Sequence, residues 1–410
     1  MMAFWGMLDA GGLLWFLGGS IGYVVVGYPA CVAVLSRIRP RPIQTENAWH
    51  PTISVVIAAH NEGDVLGPKI DTVRRAACGS DRLQILVVDD ASTDDTVAVA
   101  QTAGAQVLSV PHRVGKSEAI NRGVRESTGD IVVLSDASAM LDPVALRALV
   151  APLGDPTVGV VSGAIDYRGT NRAASGARWY WRYEDRIRRW ETASGSTVGV
   201  NGNLFAFRRA DFEPLPPGTV NDEFTIAMRI AARGDRVVYA PNARCTDAAS
   251  VDLNAERARR SRISAGRVQA LRGPLSGLWR RPVLGWRVGS HKALRLALPF
   301  LVMAAALLVP LHWWQAAHRP GTHGWRRLVR LDRPFADALV AAESAVAGAT
   351  AVAILAERRH AHLPSVLRVL AYAAHTAAAT ATGAVRGARG RQSATWTTGN
   401  ATRAPRRGTI

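Results

Sequence analysis

Lysine is nearly absent from this 410-residue sequence: of its 50 basic residues, only Lys69, Lys116 and Lys292 are lysines, and the rest are arginines. Cysteine is as scarce. Cys31, Cys78 and Cys245 lie far apart without metal-ligand spacing, which argues against a disulfide scaffold or a cysteine-based metal site and fits a reducing compartment. A compact base-reading basic helix and an aromatic RNA-binding signature are also missing, so the net charge of +18 does not point to nucleic acid. Basic juxtamembrane segments are drawn equally well to anionic lipid headgroups, and a membrane surface is the better match.

Charge itself is missing from residues 10 to 36, a run longer than the roughly 20 apolar residues that span a hydrocarbon core. The preceding segment MMAFWGMLD carries only Asp9 and lacks the basic region of a cleavable signal peptide. Arg37, Arg39 and Arg41 follow directly, which places the amino terminus outside and the remainder in the cytoplasm of a cell (inner) membrane. A second uncharged run, Leu296 to Ala317, ends in the interfacial pair Trp313-Trp314. Two further apolar stretches contain ionisable residues: Ala336 to Ala356 holds Asp337 and Glu343, and Pro364 to Val385 holds Arg368 and His375. Such residues fit either a functional span or an amphipathic helix lying on the bilayer.

These features divide the chain into an N-terminal membrane helix (1–36), a linker (37–51), a central domain (52–272), a C-terminal membrane region (273–385) and a basic tail (386–410). Apolar strand patterns at 53–59, 83–89, 106–110 and 131–135 alternate with helical patterns at about 64–77, 94–103, 116–127 and 143–152. That alternation predicts an α/β domain with a mostly parallel sheet flanked by helices. VGVVSGAI, NLFAFRR and RVVYAP supply further strands, and no internal repeat is present.

Acidic residues close several of these strands. LQILVVDDASTDDT brings Asp89 and Asp90 to one strand end, GDIVVLSDAS brings Asp136 to another, and Glu62 follows the first strand in His60-Asn61-Glu62. Carboxyl ends of parallel strands gather at one sheet edge, where open α/β sheets bind ligands. Carboxylates there suit a ribose, a base edge or a divalent cation. Helix capping needs only one of the oxygens that Ser92, Thr93 and Asp94 offer, so the Asp89-Asp90 pair exceeds what a cap requires. Lys116 follows Gly115 at a helix start, a suitable place for phosphate, although solvated lysines are common.

Taken in order, IAAHNE, VVDDASTDDT, GKSEAIN, GDIVVLSDAS, VNDEFTIAMRI and RRSRISAG resemble the family 2 glycosyltransferases, inverting enzymes with a GT-A fold, over residues 51 to 272. The resemblance implies that Glu62, Asp89 and Asp90 hold the base and ribose of a nucleoside diphosphate sugar, UDP-linked by preference. It implies that Lys116 and Asp136 hold the diphosphate with Mg²⁺ or Mn²⁺. Ser138 stands where relatives carry a second metal-binding acid. The resemblance places the catalytic base at Glu223, with Asp222 before it as a second candidate; acids at a helix start also satisfy the helix dipole. Arg262 matches the arginine of the QxxRW region of polymerising relatives and is implied to meet the diphosphate. Arg259 stands at the glutamine place, and Ile263 replaces the tryptophan.

Two other groups have no assigned role. Trp179, Trp181, Tyr183 and Trp190 cluster with Glu184, Asp185 and Glu191, which suits sugar stacking but suits an aromatic helix under the site or on the bilayer better. Asn201-Gly202-Asn203 reads as a tight turn that could also contact an acceptor. The expected activity is sugar transfer to a lipid-linked or growing glycan acceptor among membrane lipids, with no nucleic-acid partner. Processive exopolysaccharide synthesis is the alternative, and a nucleotidyltransferase or a catalytically impaired membrane protein fits less well.

Overall fold

A computed structural model describes residues 10–44, 49–77, 82–168, 172–248, 253–273, 275–318, 330–359 and 364–390; Cys78 and most of the basic tail lie outside them, as does the side chain of Trp179. The first half builds β1 (Ile53–Ala59), α2 (Gly63–Ala76), β2 (Leu83–Asp89), α3 (Thr96–Thr102), β3 (Gln106–Ser109), α4 (Lys116–Glu126) and β4 (Ile131–Ser135), after a first helix α1 (Ala10–Ile38). Then follow β5 (Met140–Leu141), α5 (Ala145–Val150), β6 (Val158–Arg168), α6 (Arg172–Ala193), β7 (Leu204–Arg208), α7 (Asp222–Arg233) and β8 (Arg236–Ala248). The strands form one eight-stranded sheet in the order β3-β2-β1-β4-β7-β6-β8-β5.

Strand β1 runs parallel to both β2 and β4, and β2 parallel to β3. Because side chains alternate along each strand, a strand buried on both faces feeds two cores. Val55, Ile57 and Val87 pack with Leu66, Ile70 and Val73 of α2 and Leu146 and Leu149 of α5. Val56, Val88 and Val132 pack with Ile120 and Val124 of α4 and Phe224 and Met228 of α7. Each fully buried aliphatic side chain contributes roughly 1.5–3 kcal/mol, so these two layers hold the domain.

The second half is mixed: β7 runs antiparallel to β4 and β6, whereas β8 runs parallel to β6. Strand β8 extends well beyond the RVVYAP segment. Its pairing jumps from Ala240 opposite Gly163 to Arg244 opposite Ala164, leaving Pro241, Asn242 and Ala243 out of register. Proline cannot donate to the ladder, so the strand bulges there and resumes. Its far end thereby carries Asp247 opposite Tyr167.

The C-terminal region consists of α8 (Leu253–Arg272), α9 (Pro282–Ala317), α10 (Arg333–Arg358) and α11 (Ser365–Ala388). Among the described residues, α1, α9 and α10 have the length and apolar composition to cross a membrane. Helix α9 starts well before the uncharged run at Leu296. Arg287, His291, Lys292 and Arg295 on this extension are turned into the protein rather than excluded from the helix. Two ionisable residues of the later stretches find partners: Trp313 Nε1 donates to Asp337 Oδ1 at 2.7 Å, and His375 Nε2 lies 2.8 Å from Glu357. Helix α11 docks on α8, where a methyl at Gly383 would come within 2.2 Å of the Ser261 carbonyl oxygen.

Candidate active site

The acids at the ends of β1, β2 and β4 do share one sheet edge. Ala59 is the register partner of Asp89, and the Asp90 N–H donates to the Ala59 carbonyl at 2.8 Å. Asp90 is fully buried and its carboxylate accepts from Val114 N at 2.6 Å and Gly115 N at 3.1 Å. It thus fixes the loop that opens α4. Gly115 has φ +85°, a region open to glycine at little cost, and this turn delivers Lys116 to the first helical position. Asp89 is buried and accepts from Ser92 N at 3.2 Å, while buried Glu62 sits at the start of α2 with its own N–H donated to Thr96 Oγ1 at 2.8 Å.

Lys116 is the hinge of the arrangement. Its Nζ lies 2.9 Å from Asp136 Oδ1 and 3.4 Å from Asp222 Oδ2, so it ties the end of β4 to the start of α7. Burial works against its charge, but Asp136, Asp222 and Glu223 outweigh burial and raise its pKa above the ordinary lysine value. An ammonium permanently held among three carboxylates suits a site that receives diphosphate.

Asp222 and Glu223 occupy the first turn of α7 but differ in surroundings. Asp222 is buried against Lys116. Glu223 is only half-buried, and burial together with the neighbouring Asp222 charge pushes its pKa up to about 7, against the lowering effect of Lys116. The Asn221 amide lies beside the carboxylate; with its nitrogen turned toward the oxygens it donates at 2.5 and 3.0 Å. From the other side Gly202 presses close, and a Cβ there would meet Glu223 Cδ at 3.2 Å. A carboxyl near neutrality, held between an amide and bare backbone, is suited to accept a proton.

Asp136 N donates to the Asn203 carbonyl, and Asn203 Nδ2 donates to Asp247 Oδ2 at 2.9 Å, so the Asn201-Gly202-Asn203 turn joins β4, β8 and Glu223. Beneath it, fully buried Lys69 donates to Ser135 Oγ at 2.6 Å and to the Ala139 carbonyl, bracing the loop that carries Asp136 and Ser138. Burial lowers the Lys69 pKa to about 8, despite Cys245, Asp136 and Asp247 nearby. Lys69, Asn221 and Asp247 carry no site signal in the sequence, whereas Asn203 stands in the Asn-Gly-Asn turn read there.

No group of three or more His, Cys, Asp or Glu side chains that could hold a metal occurs among the described residues. Ser138, however, is buried with an Oγ that has no hydrogen-bond partner among the described residues, two positions from the Asp136 carboxylate. One carboxylate and one hydroxyl fit a Mg²⁺- or Mn²⁺-type ion that takes its other oxygens from substrate phosphates and water.

Arg262 is not tied to this edge by any hydrogen bond or ion pair among the described residues. It lies one helical turn before Gly266 of α8, whose Cα faces Asn221, and so shares the face that crosses the start of α7. Arg259 pairs with Glu256 and the Tyr167 hydroxyl instead.

The acids of the aromatic cluster lie elsewhere. Glu191 accepts from Tyr28 of α1, from Thr197 Oγ1 at 2.7 Å and from Val198 N at 3.2 Å, and meets His291 of α9 at 2.7 Å. Glu184 contacts His291 and Arg295. These carboxylates fasten α6 to α1 and α9, which matches the packing alternative and leaves them unavailable to sugar hydroxyls.

Comparison with known proteins adds three likenesses. The model of glycosyl transferase family 2 matches residues 54–215. A probable glycosyltransferase of Bacillus subtilis, YdaM, is 30% identical over 179 residues, 40% of this chain and 42% of that protein, so the chain spans less than half of that relative's length. An uncharacterized glycosyltransferase of Mycobacterium tuberculosis is 34% identical over 160 residues, 37% of this chain and 69% of the relative. The mannosyltransferase PcManGT from Pyrobaculum calidifontis, solved with GDP-Man and Mn²⁺, superposes with a TM-score of 0.69 at 23% identity over 93% of this chain and all of that one, which shows a shared fold. Coverage of two thirds of the mycobacterial relative, together with the common architecture, establishes that the chain belongs to glycosyltransferase family 2 and has the GT-A fold.

Proposed function

We propose that this enzyme is an inverting glycosyltransferase that moves a sugar from a nucleoside diphosphate sugar, UDP-linked by preference, to a lipid-linked or glycan acceptor at the cytoplasmic face of a membrane. The observation that carries the reading is the pairing of Lys116 with both Asp136 and Asp222, with Glu223 beside them. One cation thereby links the donor edge of the sheet to the helix that bears the base.

In this mechanism Glu62, Asp89 and Asp90 line the base and ribose end, and Arg262 approaches from α8. The acceptor hydroxyl gives its proton to the Glu223 carboxylate as its oxygen bonds to the anomeric carbon. The bond from that carbon to the diphosphate oxygen breaks on the opposite face, which inverts the centre. Lys116 neutralises the departing diphosphate. A Mg²⁺ or Mn²⁺ ion held by Asp136 and Ser138 would supply Lewis-acid stabilisation of the same charge. Asp222, buried against Lys116, positions that ammonium rather than accepting the proton.

The test is sugar transfer and donor hydrolysis by the full chain, with a panel of UDP- and GDP-sugars, with and without Mn²⁺. E223Q should lose about 10²–10⁴-fold in kcat while donor KM moves little, the range for removal of a general base. Retained transfer in both E223Q and D222N would sink the assignment.

A further inference from the structure

Arg188 and Arg267 face Lys292 where α6, α8 and α9 meet, and Arg267 also faces Glu223. Arg188 and Lys292 are more than nine-tenths buried, yet among the described residues none of the three makes a hydrogen bond or ion pair. Arg188 Nε is buried without a partner, and the guanidinium is held in place by the Trp181 and Tyr239 rings at 5.8 and 5.7 Å. Gly199, on the segment leading to the Gly202 turn, lies against it: a Cβ there would meet Arg188 Nε at 2.8 Å. The charged groups facing Lys292 are Arg267, Glu184, Arg188 and Glu191, and those facing Arg267 include Glu223, Glu184 and Arg295. Glu184 and Glu191 are already engaged by Arg295, His291, Tyr28 and Thr197. Among the described residues no carboxylate therefore pairs directly with any of the three, and buried charges are normally paired.

Resting on the transfer reaction proposed above, we infer that Arg188, Arg267 and Lys292 bind the phosphate group of a lipid-borne acceptor and so present its hydroxyl to Glu223. Depth identifies the lipid: Lys292 lies one turn before Leu296, where the uncharged run of α9 begins. Phosphates of lipid headgroups lie at that level. Arginine forks and a lysine point charge are both common phosphate binders. An acceptor attached through phosphate to a lipid would place its anion on this cluster, its chain along the span and its head at the base.

Binding is measured on the full chain in detergent with three probes: dioctanoyl phosphatidic acid, dioctanoylglycerol (the same lipid without phosphate) and inorganic phosphate. Phosphatidic acid should bind at least tenfold more tightly than dioctanoylglycerol, and inorganic phosphate should compete only weakly. R267Q and K292Q should each weaken phosphatidic acid binding about fivefold or more, whereas K292R should restore it. The neutral lipid should bind both Gln variants as it binds wild type, which shows that they are folded. E223Q should still bind phosphatidic acid, so loss of transfer and loss of this site are read separately. Equal binding of the two lipids, or unchanged binding in both Gln variants, overturns the inference. Inorganic phosphate binding as tightly as the lipid overturns its lipid half and assigns the cations to a soluble phosphate.

Discussion

The sheet edge and the junction of α6 with α1 and α9 both consist of acids held by cations and hydroxyls, yet they are built for different ends. At the edge, Lys116 meets Asp136 across 20 residues of chain, and Asp90 holds Val114 across 24. At the junction, Glu191 meets Tyr28 across 163 residues and His291 across 100, and Glu184 meets Arg295 across 111. The edge pairs, the long-range Lys116–Asp222 pair among them, leave a half-exposed carboxylate, Glu223, for chemistry. At the junction Glu184 and Glu191 are buried and fully engaged. Damage to the two regions should therefore separate stability from catalysis.

Breaking the junction should give the largest effect. Removal of one partner from a buried ionic network typically costs ~3–5 kcal/mol, because the remaining groups lose their counter-charge. E191Q strips the charge opposite His291 and weakens the acceptors for Tyr28, Thr197 and Val198. Unfolding of the full chain in detergent should show a drop of that size, with kcat per folded molecule close to wild type. A fall in kcat without a fall in stability would place Glu191 in the active site and erase the contrast.

At the sheet edge the balance should reverse. K116A removes the cation shared by Asp136 and Asp222, and loss of one such electrostatic stabiliser costs roughly 10²–10³-fold in rate. The loss should appear in kcat/KM for the donor. Glu223 sharpens the same point through pH. Its carboxyl, raised to about 7 by burial and by Asp222, must be ionised to accept a proton. The kcat/KM profile should hence fall about tenfold per pH unit below that value and level off above it, and E223Q should abolish this limb.

Legibility in the sequence follows the same division. The four parallel strands and their helices were readable because apolar runs, Gly104 and Gly115 mark their limits locally. Acids ending those runs were readable for the same reason. The extension of β8 was not, because the bulge at Pro241 is rescued only by pairing with β6. The partners of Arg287, His291 and Arg295 were not legible either, since nothing nearby in sequence shows that Arg287 donates to the Glu191, Ser194 and Ser196 carbonyls, or that Glu191 meets His291 and Glu184 meets Arg295. Lys69, as a lone lysine in a helix, gave no sign that it braces the Asp136 loop through Ser135 and Ala139.

The Asn201-Gly202-Asn203 turn lies between these extremes and supplies the smallest expected effect. Its sequence predicts a turn, and the fold adds that Gly202 backs the Glu223 carboxylate while Asn203 holds Asp136 and Asp247. Gly202 needs no unusual backbone, so the cost of a side chain there is purely steric. A methyl 3.2 Å from Glu223 Cδ asks the carboxylate to move by a few tenths of an ångström. Misplacement of a reacting group by about 1 Å can cost ~10²-fold, so G202A should lower kcat by about tenfold or less. Donor KM and thermal stability should stay near wild type, because neither Lys116 nor the core strands touch the added methyl. Unchanged kcat would mean that Glu223 is not held where the reaction needs it, whereas a fall in stability of several kcal/mol would move the turn to the structural side of the comparison.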